Sequence, residues 1–421
     1  MISESEDGHK GWLWRPKLRP VEVLPVQSRG TEMICLRDPS RIAPQPLFLS
    51  PSAAVVLSMF SGENDLRDIQ AVLMRKFGEL VNLEVIQGLA QTLDENLFLE
   101  GAAFERFLDK RKEEFSAASS RPALLAGQAY PSEPAVLAEA LAGFGGHPSG
   151  PGETETMALN GVPRGLVAPH IDFERGGSCY AWAYRQLRPE ESPGLVVILG
   201  TAHSPVENFL VLCNKDFETP FGPARCDREL ADELSARVGP GLTADEFTHY
   251  GEHSVEFQAV WLMSIFSQSE NMMILPLLCG SFHPLIAEGQ GPEDSQEYEA
   301  ALEPLKDLLG RYDRGKVMVL ASADLSHVGP QFGHDFRVTP AVQADVRAHD
   351  LAVLEAAAQG DFQGFYGRVA RERDRTNICG LAPIYAMLRL IDKQAGRLLA
   401  YDQWTDKNGQ GLVSFASLVF P

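Results

Sequence analysis

Short apolar runs alternate with amphipathic segments from Arg121 to the end of the chain. The runs at 165–168, 195–199 and 317–321 are short and rich in aliphatic residues, which predicts buried strands. Two further strands are predicted near residues 209 and 272. Helices are predicted at 133–143, 227–237, 254–266, 296–310, 341–358 and 381–393. The last apolar runs, 397–403 and 412–420, are too close together for a helical crossover and should pair antiparallel. The pattern predicts a three-layer α/β domain with a mixed sheet.

The first 120 residues have a different texture. Residues 1–43 form an arm with strands expected at 21–24 and 32–36. Helices are predicted at 51–60, at 65–77 with Asp65 as N-cap, and from Asn82 onward, followed by a strand at 97–99. This order is typical of a winged-helix module. A charged helix at 104–115 and a linker at 116–120 lead into the large domain.

The charge of the small module argues against DNA binding. Between Ala43 and Glu100 there are three basic and eight acidic residues, so the surface does not supply the phosphate contacts that a recognition helix needs. We therefore expect this module to dock a peptide or a protein. The whole chain has a formal net charge of -20, which likewise disfavours nucleic acid and anionic membranes as partners.

Compartment and redox state follow from the same composition. The N-terminus is acidic and polar, and no apolar stretch approaches the length of a membrane span, so we predict a cytoplasmic protein. The six cysteines form no C-x-x-C pair, which predicts that most of them are reduced, small core residues.

Polar motifs stand where several of these elements begin or end. His170 follows the run at 165–168, His203 follows the run at 195–199, and Cys379 precedes the helix predicted at 381. A helix N-terminus favours the thiolate form of a cysteine. Two imidazoles and a thiol suit either a mononuclear metal site or a nucleophile site.

Further candidates flank these positions. Asp324 and His327 follow the run at 317–321 and are close enough in sequence to act as a general acid–base pair. Ser326 lies between them and is interpreted as a polar residue lining the site, since no nucleophile-elbow motif surrounds it. Substrate contacts or support of the ligands are assigned to Asp172, Glu252, His253 and Glu256.

The order of these motifs resembles the Memo family, known in bacteria as AmmeMemoRadiSam system protein B. The segments are R-P-A and A-G-Q-A-Y-P from Arg121, then A-P-H-I-D, L-G-T-A-H, G-E-H-S-V-E-F-Q, S-A-D-L-S-H and N-I-C-G, covering residues 121–421. Memo proteins look like LigB-type class III extradiol dioxygenases in fold. The N-terminal domain is predicted to span residues 1–115. Within it, residues 46–100 are similar in pattern to PqqD-like winged-helix domains, which often bind peptides beside radical-SAM enzymes.

The resemblance implies a metal site formed by His170, His203 and Cys379, with iron or copper as the metal. Zinc also suits these donors. The family resemblance also implies an acid–base role for His327, beside Asp324, and places the family's E-H-S histidine at His253. The chain departs from many relatives at 171–173, where Asp172 adds a carboxylate next to the first ligand.

Three functions are consistent with these residues. The first is a metal-dependent oxidoreductase, or a metal-binding accessory protein, in a radical-SAM-linked system. The second is an adaptor on a dioxygenase-like fold that recognises a peptide or a phosphorylated side chain. The third is a cysteine hydrolase that uses Cys379, His327 and Asp324, which leaves His170 and His203 without a role.

Overall fold

The computed structural model describes residues 11–421 except 29, 39–41, 44, 79–80, 153–158, 160 and 393. The chain divides into two compact units, the first ending at Ala117 and the second beginning at Ala118. The first ten residues of the expected N-terminal arm lie outside the described residues.

The first unit combines an antiparallel sheet with helices. The three strands, in sheet order, are β1 (Glu22–Ser28), β2 (Thr31–Arg37) and β3 (Leu47–Leu49). The helices are α1 (Gly11–Trp14), α2 (Ala53–Leu57), α3 (Leu66–Phe77), α4 (Leu83–Glu95) and α5 (Ala102–Ala117). Asp65 caps α3 by accepting hydrogen bonds from the main-chain N–H groups of Arg67 and Asp68, as predicted. Asn82 caps α4 in the same way, so both helix starts are confirmed.

The prediction of a strand at 97–99 is wrong, because these residues do not pair with a neighbouring strand over a continuous ladder. Leu97 has a left-handed backbone with φ of 63°, and Leu99 makes a single isolated bridge to Leu18. Phe98 and Leu99 are fully buried in the core of this unit. The apolar run therefore marks burial after a helix, which hydrophobicity alone does not distinguish from a short strand.

The second unit is the predicted three-layer α/β fold. Its strands are β4 (Ser120–Arg121), β5 (Gly165–Ala168), β6 (Leu195–Thr201), β7 (Leu210–Leu212), β8 (Asp216–Phe217), β9 (Met273–Cys279), β10 (Val317–Ser322), β11 (Asp324–Val328), β12 (Arg397–Thr405) and β13 (Leu412–Phe420). The main sheet has the order β11-β13-β5-β10-β6-β9-β7, with β12 paired to β13. Strands β5, β10, β6 and β9 are parallel, and the others are antiparallel, which confirms a mixed sheet. The antiparallel pairing of the last two strands is also confirmed.

Helices cover both faces of this sheet. They are α6 (Pro134–Gly146), α7 (Phe173–Tyr184), α8 (Arg228–Val238), α9 (Gly241–Ala244), α10 (Thr248–Gly251), α11 (Ser254–Phe266), α12 (His283–Glu288), α13 (Gln296–Leu309), α14 (Pro340–Ala358), α15 (Phe362–Arg371) and α16 (Leu381–Leu390). One strand face, including Val197 and Leu199, packs in a single core with residues of α8, α13, α15 and α16. Helices α7 and α11 contact the sheet as well, and Trp261 stacks on Tyr184 with ring centroids 5.2 Å apart.

Helix α7 was not predicted, because its sequence carries two consecutive glycines. In an isolated helix each would cost about 1 kcal/mol relative to alanine. Here the helix packs so closely that a Cβ at Gly177 would lie 2.4 Å from the ring of Phe144. Tertiary packing therefore selects glycine at this position and overrides helix propensity.

All six cysteines are free thiols; five are buried, as expected for reduced core residues, and Cys379 is half-buried. Among the described residues, no helix is long and apolar enough to span a membrane.

Candidate metal centre

The carboxyl ends of three neighbouring parallel strands converge on one edge of the sheet. Strand β10 lies between β5 and β6, with Ser322 paired to Ala168 and Ala321 paired to Leu199. His170 stands two residues after β5, and His203 stands two residues after β6. The topology therefore brings together two histidines that are separated along the chain, at the edge where open α/β sheets bind ligands.

A third histidine completes a compact group at this edge. One nitrogen from each of His170, His203 and His253 lies within 4.8 Å of the others, as identified among the described residues. The ring centroids are 4.9 Å apart for His170 and His203 and 4.7 Å apart for His203 and His253. His253 comes from the loop before α11, so it approaches the strand ends from a neighbouring helix. The cluster is of a size that can hold one metal ion.

His170 is the most deeply buried histidine of the group. Its side chain is 2% exposed, and its Nδ1 lies 3.0 Å from the carbonyl oxygen of Ser322. Because a carbonyl only accepts, Nδ1 carries the hydrogen and the Nε2 lone pair faces the group. Burial, together with the charge of His203, lowers the pKa of His170 to about 3. The imidazole is therefore neutral at physiological pH, as metal ligation requires.

Glu252 fixes the other two histidines. Its carboxylate lies 3.1 Å from Nδ1 of His203 and 3.2 Å from Nδ1 of His253. It also accepts hydrogen bonds from the main-chain N–H groups of His203, His253 and Ser254. These contacts direct Nε2 of both rings away from the carboxylate, an arrangement common for metal-binding histidines.

The same contacts control protonation. Burial would raise the pKa of Glu252, but its two histidine neighbours and its hydrogen bonds hold that pKa well below the ordinary range. For His203, burial opposes protonation, yet the charge and hydrogen bonds of Glu252 outweigh it and raise the pKa. The side chains of His203 and His253 are 39% and 35% exposed, so the group opens to solvent on their side.

Cys379 adjoins the histidine group. Its Sγ lies 3.3 Å from Nε2 of His170, and its carbonyl oxygen accepts from Thr201 Oγ1 at 3.3 Å. The next residue, Gly380, donates its N–H to the carbonyl of Asp324, and a Cβ there would lie 2.3 Å from that oxygen. Glycine therefore permits the close approach of this segment to the start of β11, which places the thiol beside the imidazole.

The protonation of Cys379 differs from the sequence expectation. A helix N-terminus favours the thiolate, but burial raises the pKa of this thiol well above its usual range, and the charge of Asp324 raises it further. The free protein therefore holds a thiol at this position.

Asp324 and His327 lie in the same region but have different partners. Asp324 accepts from the main-chain N–H of His170 at 2.9 Å, and its other oxygen is 3.7 Å from Nε2 of that residue. Nδ1 of His327 lies 3.0 Å from the carbonyl oxygen of Leu325, a contact that orients the ring. Burial lowers the pKa of His327, although the charge of Asp324 opposes this effect.

Three other predicted residues have side chains engaged elsewhere. Asp172 caps α7 and forms an ion pair with Arg175 at 2.5 Å. Glu256 is fully buried and pairs with Arg121. Ser326 donates to Asp350 at 2.6 Å. Each is thus held by a structural contact within the second unit.

A family comparison gives the chain its place among known proteins. The family model described as Memo-like protein matches residues 121–419. The chain belongs to the Memo-like family. It is 27% identical to a MEMO1 family protein of Aquifex aeolicus, over 96% of this chain and 100% of that protein. It is 29% identical to one of Thermus thermophilus, over 80% of this chain and 93% of that protein. A third, of Metallosphaera sedula, is 31% identical over 65% of this chain and 87% of that protein.

Sequence reasoning did not predict the buried hydrogen-bond network beneath the histidines of this Memo-like site. Gln258 donates to the carbonyl of Pro169 at 2.8 Å and to Ser322 Oγ at 2.7 Å, and Ser322 donates to the carbonyl of Ser254. Gly200 permits this packing, since a Cβ there would lie 2.6 Å from Ser254 Oγ. The signal in the sequence was a glutamine between apolar residues of α11.

Proposed function

We propose that this Memo-like protein holds one iron or copper ion through His170, His203 and Cys379, as a redox metalloenzyme or an accessory protein of a radical-SAM-linked system. The observation that carries the proposal is the position of His170, whose ring groups with two other imidazoles and whose Nε2 lies 3.3 Å from the Cys379 thiol.

The donor set fits these metals. Neutral imidazole suits iron, copper and zinc, and a thiolate adds the softness that favours copper(I), zinc or redox-active iron. A bound cation would remove the thiol proton of Cys379 and so reverse the effect of burial on it. His253 is a further nitrogen donor in the same group. When bound, the metal would supply Lewis-acid or redox chemistry.

The surrounding residues support a reaction at this site. Nε2 of His327 is the atom that would accept or return a proton, because Nδ1 is held by a carbonyl. The lowered pKa keeps this imidazole unprotonated at physiological pH, which is the form that can accept a proton. The partial exposure of His203 and His253 gives a substrate an approach to the site.

Two observations weigh against the cysteine hydrolase. The pKa of Cys379 is raised, whereas a catalytic thiol needs a stabilised thiolate. The imidazole beside its Sγ is that of His170, so the hydrolase assignment of His327 lacks a contact to the thiol that would support it.

We extend the proposal to the first unit as a docking module for a peptide or protein partner. Large apolar side chains that are exposed in this unit support it: Trp14, Val23, Phe48, Met74, Phe77 and Val85. Contiguous exposed apolar surface is typical of interaction sites. Co-purification with a radical-SAM protein that is lost in the Phe48→Asp variant would support this role, whereas equal retention would contradict the use of β3.

Metal analysis tests the proposal. Protein loaded anaerobically with iron(II), and separately with copper, should retain about one ion per chain after desalting, as a single site requires. His170→Ala, His203→Ala and Cys379→Ala should each reduce that content. The exposed His147 provides the control, because His147→Ala should retain the metal. Unchanged metal content in all three site variants would contradict the proposal.

A further inference from the structure

The segment that begins the second unit contains a buried cation that the metal site does not use directly. The side chain of Arg121 is 0% exposed. Its guanidinium donates to the main-chain carbonyls of Pro122, His249, Tyr250 and Glu252, at 2.8, 2.9, 3.0 and 2.9 Å, and to the carboxylate of Glu256. All five of its N–H bonds therefore have an acceptor.

Glu256 balances this buried charge. Its second oxygen accepts from the main-chain N–H of Leu125 at 2.9 Å and from the hydroxyl of Tyr130. The arginine, the glutamate and the tyrosine thus link the segment 121–130 to the start of α11. Removing one partner of such a pair leaves an uncompensated buried charge, so the group acts as a unit.

The position of these contacts connects Arg121 to the histidine group. Three of the four carbonyls belong to residues 249–252, the main chain that leads directly into His253. The side chain of Glu252 holds both His203 and His253. A shift of the main chain at Glu252 would therefore move two of the three imidazoles.

We infer that Arg121, with Glu256 as its counterion, is a positioning residue for the metal site, a role that rests on the proposed function of that site. It acts through the 249–252 main chain and Glu252, without touching a ligand nitrogen. Residues that orient metal-binding histidines typically change metal affinity by about 10- to 100-fold when they are replaced.

Arg121→Lys tests the inference most sharply. Lysine keeps the positive charge beside Glu256, but its compact ammonium cannot reach all three carbonyls of the 249–252 main chain as the guanidinium does. The matched control is Arg389→Lys, which weakens another largely buried pair, with bonds to Glu299 at 2.7 and 3.0 Å. If the arginine positions the site, Arg121→Lys should weaken metal binding at least about 10-fold, and Arg389→Lys should not.

A second readout does not depend on metal. Hydrogen exchange in the metal-free full-length protein should become faster at the amides of His203, His253 and Ser254, which donate to Glu252. Faster exchange at these amides in Arg121→Lys alone would support the inference even if the wild-type protein binds no metal, an outcome that would contradict only the proposed function. Exchange that is unchanged there, or equally fast in Arg389→Lys, would overturn it.

When the wild-type protein binds metal, the metal affinities of the variants provide a second test of the inference. Equal affinity of Arg121→Lys and wild type, or an equal loss in Arg389→Lys, would overturn the inference. If Arg121→Lys does not fold, Tyr130→Phe replaces it, since this change removes one hydrogen bond to Glu256 and keeps the ring that stacks on Phe173. Faster exchange at the same three amides is then expected, and no change would overturn the inference.

Discussion

Both carboxylate oxygens of Glu252 lie 3.1 Å from Nδ1 of His203. This contact fixes the tautomer and the orientation of a ring that is more than one-third exposed. The first prediction follows from it. Glu252→Gln should lower metal affinity by about 10- to 100-fold, because an amide holds the imidazole more weakly and carries no charge. Competition against a chelator of known affinity measures the change.

Glu299→Gln is the control for this substitution, because Glu299 pairs with Arg389 away from the histidine group. It should leave metal affinity unchanged. An equal affinity of Glu252→Gln and wild type would show that Glu252 does not support the site.

The second prediction concerns the approach of the Cys379 loop to Asp324. Gly380→Ala would place a Cβ 2.3 Å from the carbonyl oxygen of Asp324, so the Cys379 loop must move away from the start of β11. We expect a loss of unfolding free energy of about 1–3 kcal/mol, as for other overpacked sites, and weaker metal binding. Chemical denaturation and metal titration measure the two effects.

Gly367→Ala is the matched substitution. Gly367 lies inside α15, and a Cβ there would meet nothing within 4 Å. Alanine should raise the unfolding free energy by roughly 0.5–1 kcal/mol, because it is the better helix former. If both variants changed stability in the same direction, the steric account of Gly380 would be wrong.

The third prediction concerns pH. Burial, with a contribution from Arg121, lowers the pKa of His249 to about 4, while its contact with the carbonyl of Val211 opposes the shift. The unfolded chain binds the proton near pH 6.5. Between pH 6.5 and about 4 the unfolded state therefore holds more protons, and stability falls as the pH falls through this window.

This histidine should account for about 3 kcal/mol of that acid destabilisation. Glutamine can donate to the same carbonyl without titrating, so His249→Gln should flatten the decline in unfolding free energy between pH 6.5 and 4. Denaturant titrations at several pH values measure it. Parallel pH curves for the variant and the wild type would refute the assignment.

Periodicity predicted most of the fold, because each central strand is a short aliphatic run and helices such as α3, α4 and α13 have an apolar face. It failed where tertiary contacts override local preference. Helix α7 contains Gly176 and Gly177 yet forms against Phe144, and Leu97–Leu99 is apolar without pairing as a strand.

The site was predicted in part, since the positions of His170, His203 and Cys379 follow from strand and helix ends. Membership of His253 in the histidine group did not follow. Its approach depends on the main chain at residues 249–252, which Arg121 holds from nearly 130 positions earlier in the chain. Contacts of this kind carry no local periodic signal.

X-ray absorption of the zinc-loaded protein tests the central claim most directly. Zinc binds the same donors, at about 2.0–2.1 Å for imidazole nitrogen and about 2.3 Å for thiolate sulfur. Ligation by His170, His203 and Cys379 predicts one sulfur scatterer at the longer distance, which disappears in Cys379→Ala. A spectrum of nitrogen and oxygen alone would contradict the cysteine and favour His253 as the third ligand, and a protein that retains no metal would contradict the site as a whole.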